Sequence, residues 1–159
     1  MKSKFLFLSL ILGIIAVLTA CDTASKVVTT PMPSGSAIVQ ADMGKYNQCL
    51  SQMNSDCMAS LFAPRGAVYD TGLLQASGPD AIRSYMNQSF NTAHLDSLTA
   101  TIDSVMINGG VGVVLGVYDE KTTNATGQSS ETKQRYVAEW IDQSNGQWLL
   151  NRVSTVILH

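Results

Sequence analysis

The sequence predicts an α+β fold in which a few short helices come first and a long antiparallel meander follows, with the helices packed on one face of the sheet. Three observations carry this expectation. Apolar residues recur at helical spacing between Ala41 and Phe62, and again between Pro79 and Phe90. From His94 onward, long runs rich in Thr, Val and Ile alternate in polarity. Asn108, Gly109 and Gly110, and later Asn145 and Gly146, separate those runs with the residues that tight hairpin turns require.

In chain order, Lys2 and Lys4 precede an almost wholly apolar run from Phe5 to Val17, and Leu18, Thr19, Ala20 and Cys21 form a small-residue cleavage site. Residues 1–20 are therefore expected to be a targeting segment. The leucine, two small residues and cysteine resemble a bacterial lipoprotein lipobox. That resemblance implies cleavage before Cys21, a lipid on Cys21, and a domain held at a membrane of the cell envelope, facing the periplasm or the exterior. Residues 21–40 are rich in Thr, Ser, Ala and Pro without sustained periodicity, as expected of a flexible tether. The domain itself is expected over residues 41–159.

From Ala41, Tyr46, Cys49, Leu50 and Met53 define the apolar face of a first helix, with Asp42 near its start. Asn54 or Ser55 caps a second short helix carrying Cys57, Met58, Leu61 and Phe62, which Pro64 and Gly66 stop. A short strand runs from Ala67 to Asp70, and Gly72 reverses the chain into another. Ser77 or Gly78, Pro79 and Asp80 open a third helix, whose apolar face holds Ile82, Tyr85, Met86 and Phe90. Long strands are expected from His94 to Asn108, Val111 to Glu120, Gln134 to Asp142 and Gln147 to Leu158, with Lys121 to Ser130 a polar, flexible tip.

Loss of Lys2 and Lys4 with the targeting segment turns 10 basic against 12 acidic residues into 8 against 12, a net charge of −4. An acidic chain without a basic run cannot neutralise a phosphate backbone, so nucleic acid is not an expected partner. With Cys21 lipidated, Cys49 and Cys57 remain as thiols on inward-facing helix positions. Outside the cytoplasm they suit a disulfide, and equally they suit two buried free thiols.

Leu61, Phe62, Ala63, Pro64 and Gly66, followed by Gly78, Ala81, Ile82 and Tyr85, with Trp140 and the Asn145, Gly146, Trp148 turn, resemble the nuclear transport factor two-like superfamily, in particular its SnoaL-like members. Arg65 stands where those domains usually carry an acidic residue. The resemblance covers Ala41 to His159. It implies a cone, in which a curved antiparallel sheet of four long strands and a short hairpin wraps three N-terminal helices around an apolar pocket. It also implies pairing of two copies across the outer sheet face, and a small apolar or amphipathic molecule in the pocket.

Catalytic members of that superfamily place a carboxylate in the cone, where desolvation makes it a usable base. Asp70, ending a short strand, is the first candidate; Asp103 and Glu139 interrupt long strands and are weaker ones. Tyr46, Tyr69, Tyr85 and Tyr118 are candidate ligand-binding hydroxyls, and Arg135 and Arg152 lie on neighbouring strands. His94 and His159 are the only imidazoles, and neither matches the inner-strand histidine of the hydratase-like members. No cofactor is implied, and no metal-ligand motif is present. Three functions follow: a binding module, a small isomerase or dehydratase using Asp70 with Tyr46 or Tyr118, and a scaffold whose pocket is filled by Met53, Met86 and Phe90.

Overall fold

The computed structural model describes residues 34–159. The targeting segment, Cys21 and the tether up to residue 33 lie outside them. Ser34 opens helix α1 (Gly35–Ser51) by accepting a hydrogen bond from the Ala37 amide at 3.3 Å. The helix thus begins six residues ahead of the expected start at Ala41, because Ser34 caps it and Val39 adds a fully buried anchor to its inner face. Asn54 caps α2 (Ser55–Ser60) through the Cys57 amide. Cys49 and Cys57 are joined by a disulfide, Cα to Cα 5.5 Å, which ties α1 to α2. On the chain-entropy model such a short closed loop contributes about 2 to 3 kcal/mol.

Strand β1 (Phe62–Asp70) and β2 (Leu73–Ser77) form a hairpin whose turn places Thr71 and Gly72 at φ 49° and 81°. Phe62 and Pro64 belong to β1 rather than to a helix end. Pro64 is tolerated because the pairing with β6 breaks register between Phe62 and Ala67. Helix α3 (Pro79–Thr92) follows, then β3 (Ala93–Asn108), β4 (Val111–Asn124), β5 (Ser129–Asp142) and β6 (Trp148–Ile157). The expected flexible tip at Lys121 to Ser130 is mostly strand. Thr122 and Thr123 pair with Ser130 and Ser129, and the reversal itself is held by Asn124 Oδ1, which accepts from the Thr126 and Gln128 amides.

The six strands form one curved, unclosed sheet in the order β2-β1-β6-β5-β4-β3. Every pairing is antiparallel except β1 with β6, which is parallel, so the sheet is mixed. Its concave face carries Val114, Tyr118, Tyr136, Ala138, Trp140, Leu150 and Val153, all buried in one core with residues of the helices. Gly116 sits in the middle of that face. It leaves room for the Tyr136 ring, whose hydroxyl reaches across β4 to donate to the Thr101 carbonyl at 3.0 Å.

Candidate functional site

Where the helices stop short of the sheet, a cavity of about 330 Å³ remains. Tyr46 and Leu50 reach it from α1, and Tyr85, Met86, Ser89 and Phe90 from α3. From the sheet come Val68 and Asp70 on β1, Tyr118, Glu120 and Thr122 on β4, Gln134 on β5, and Val153 and Thr155 on β6. Strand alternation explains this set: Tyr118, Glu120 and Thr122 share one face of β4, as Val68 and Asp70 do on β1. The walls mix apolar side chains with polar ones, and Asp70, Glu120 and Gln134 converge on the same space, as polar groups do in sites for small molecules.

Three of the four candidate tyrosines meet here. Tyr118 stacks on Tyr136 with ring centroids 4.3 Å apart and donates its hydroxyl to Asn47 Oδ1 at 3.1 Å. Burial pushes the Tyr118 and Tyr46 hydroxyls well above the usual tyrosine range. Tyr46 is 4% exposed, and its hydroxyl has no hydrogen-bond partner among the described residues. Tyr85 is also raised, by burial first and by the charge of Asp70 second. Tyr69 is not part of the cavity. It adjoins Asp70 on the strand, so its side chain takes the opposite face, where the Arg152 guanidinium lies 5.1 Å from its ring centroid.

Asp70 stands at the cavity as expected and accepts a hydrogen bond from Thr155 Oγ1, its register partner on β6, at 3.1 Å. Asp103, exposed at a bulge in β3, and Glu139, which accepts from Asn151 Nδ2, do not line the cavity. Arg135, His94 and His159 are exposed and stand apart from it as well.

The sequence reading missed Glu120. Gln134 Nε2 donates to Glu120 Oε2 at 3.1 Å. Its carboxyl is raised above the usual carboxylate range, first by burial and second by the charge of Asp70. Two strands separate β1 from β4, a flat-sheet span of roughly 14 Å. Across the curved sheet both residues line the same cavity, close enough for the charge of Asp70 to act on Glu120. The signal was present in the alternation of Val114, Gly116, Tyr118 and Glu120, which puts Glu120 on the same face as Tyr118.

This arrangement has a pH signature. Because the folded-state pKa of Glu120 lies above its unfolded value, the proton is held more tightly in the folded chain. Its favourable contribution is complete below the unfolded pKa and is lost as pH rises through the folded one. Glu120→Gln, which keeps an acceptor for Gln134, is therefore expected to raise the melting temperature at pH 7. At about pH 3, where an ordinary Glu is protonated in both states, it should change little. Thermal unfolding at the two pH values checks this, and a variant less stable than the parent at pH 7 contradicts it.

No protein-family model matches the chain, and no curated protein matches it in sequence. Solved structures match it in fold. A ketosteroid isomerase-like protein from Erwinia carotovora atroseptica superposes with a TM-score of 0.74 at 17% identity, over 79% of this chain and 98% of that one. A nuclear transport factor 2-like superfamily protein from Salmonella enterica serovar Typhimurium gives 0.65 at 16% identity, over 76% and 89%. A hexachlorocyclohexane dehydrochlorinase gives 0.66 at 12% identity, over 77% and 84%. The chain has the nuclear transport factor 2-like cone fold.

Proposed function

We propose that this nuclear transport factor 2-like domain is a small-molecule binding module, held at the cell envelope by a lipid on Cys21. The observation that carries the reading is the cavity itself: Met86 and Phe90 line about 330 Å³ of space rather than filling it, as a scaffold would require. The Cys49–Cys57 disulfide supports an address outside the cytoplasm, where such bonds persist. Met106, Val137 and Val156, exposed on the outer sheet face, support pairing of two copies there.

Proton transfer on the bound molecule is a second reading, favoured by one observation. A carboxyl raised by burial, beside tyrosine hydroxyls in one cavity, is better matched to general base work than an ordinary carboxylate. In it Glu120 or Asp70 takes the proton and Tyr46 or Tyr85 polarises the substrate. The solved neighbours whose names are isomerase-like or dehydrochlorinase support it at the level of fold.

Calorimetric titration with naphthylmethanol, an apolar ring bearing one hydroxyl, tests the binding reading. The expected result is saturable binding of one molecule per chain. Absence of saturable binding by this alcohol and by its amine and carboxylate counterparts alike would overturn it.

A further inference from the structure

The chemistry of the bound molecule can be read from what the cavity leaves unpaired, and this inference rests on the binding reading above. Five of the described carboxylates are paired with cations: Asp42 with Lys45, Asp56 and Asp80 with Arg83, Asp119 with Lys133, and Glu131 with Lys121. Asp70 and Glu120 are outside these pairs, and among the described carboxylates they are the two that line the cavity. Neither forms an ion pair with a described residue, and no Lys, Arg or His among the described residues lines the cavity. Each accepts one side-chain hydrogen bond from a neutral donor, Thr155 or Gln134, although an ionised carboxylate offers about four acceptor positions.

A second observation points to the same missing group. The Tyr46 ring is buried and lines the cavity close enough to Glu120 to feel its charge, and its hydroxyl forms no hydrogen bond with a described residue. The hydroxyl is not among the buried polar atoms left without a partner, so it opens onto the cavity, where a ligand can reach it. With Tyr85 and Phe90, Tyr46 also presents aromatic surface, which attracts a cation.

We propose that the cavity selects a singly charged organic cation, a protonated amine on an apolar ring or chain, with Asp70 and Glu120 as its counter-ions and the Tyr46 hydroxyl as a further contact. An ammonium group supplies three donors to carboxylates that have acceptor positions to spare. A neutral molecule of the same shape fills the apolar part and leaves both carboxyl groups unpaired, and an anion meets like charge. Burial and the mutual repulsion of the two carboxyl groups oppose ionisation of Glu120 in the empty protein. A bound cation relieves that opposition, so a feature that weakens the fold serves the ligand.

The test compares three probes on the full chain at pH 7 by calorimetry: naphthylmethylamine, naphthylmethanol and naphthoate. The amine is expected to bind at least about tenfold tighter than the alcohol, and naphthoate weaker than both. In the double variant Asp70→Asn, Glu120→Gln the amine-to-alcohol ratio should fall to within about threefold of unity. Glu120→Gln alone gives the same comparison, with a smaller fall, should the double variant not fold. Equal binding of amine and alcohol, or tightest binding of naphthoate, overturns the cation inference and leaves the binding reading standing. Binding of none of the three overturns both. An amine preference that persists in a folded double variant overturns the assignment to these two carboxyl groups.

Discussion

Gly116→Ala is expected to cost about 3 kcal/mol or more, and Gly116→Val to leave the chain unfolded, because neither neighbour of this glycine can step aside. A Cβ at this position runs into the Thr101 carbonyl oxygen on β3 and the Tyr136 ring on β5. The first is backbone in a paired strand. The second is pinned by its own hydrogen bond to that same carbonyl and by stacking on Tyr118. Gly112, four residues earlier on the same face, is the control. A Cβ there meets only side chains, Ile107 and Val39 at 2.9 Å and Trp148 at 3.3 Å, and no backbone atom. Urea unfolding of the two alanine variants checks the difference. A Gly116→Ala protein within about 1 kcal/mol of the parent would contradict this account of the strand packing. The consequence reaches the site, since Tyr118, which stacks on Tyr136, forms one wall of the cavity.

Thr122→Trp is expected to weaken naphthylmethanol binding about 100-fold, close to 2.7 kcal/mol, while the fold is retained. Thr122 lies two residues beyond Glu120 on the same face of β4, half-buried at the cavity, where it pairs with Leu95 on β3 and Ser130 on β5. Tryptophan favours strands, so the backbone has no reason to leave the sheet. Its indole takes the cavity space that a ligand ring would use. Calorimetry on the variant reads the loss. Unchanged affinity in a folded variant would place the ligand elsewhere.

The order of helices and strands was legible because each element obeys a local rule: a cap and a spacing of 3 to 4 for α3, alternation and Asn-Gly turns for β3 to β6. The placement of Asp70, Tyr46, Tyr85 and Tyr118 around one cavity was legible once the superfamily resemblance supplied a concave side. Three features were not. The parallel pairing of β1 with β6 joins segments some 85 residues apart, and no local pattern announces it. Tyr69 was grouped with the site although it adjoins Asp70, and adjacent strand residues take opposite faces. Glu120 was overlooked because the polar run Lys121 to Asn124 read as a flexible tip, which ended the strand at that residue. Threonines pairing with serines across β4 and β5 continue the strand, and they carry Glu120 into the wall of the cavity.

The most direct measurement is a crystal structure of the chain with naphthylmethylamine bound. The account predicts the ring in the cavity against Met86 and Phe90, with the ammonium nitrogen within hydrogen-bond distance of a carboxylate oxygen of Asp70 or Glu120. A ring bound outside the cavity, or an ammonium group turned away from both carboxylates, would contradict it.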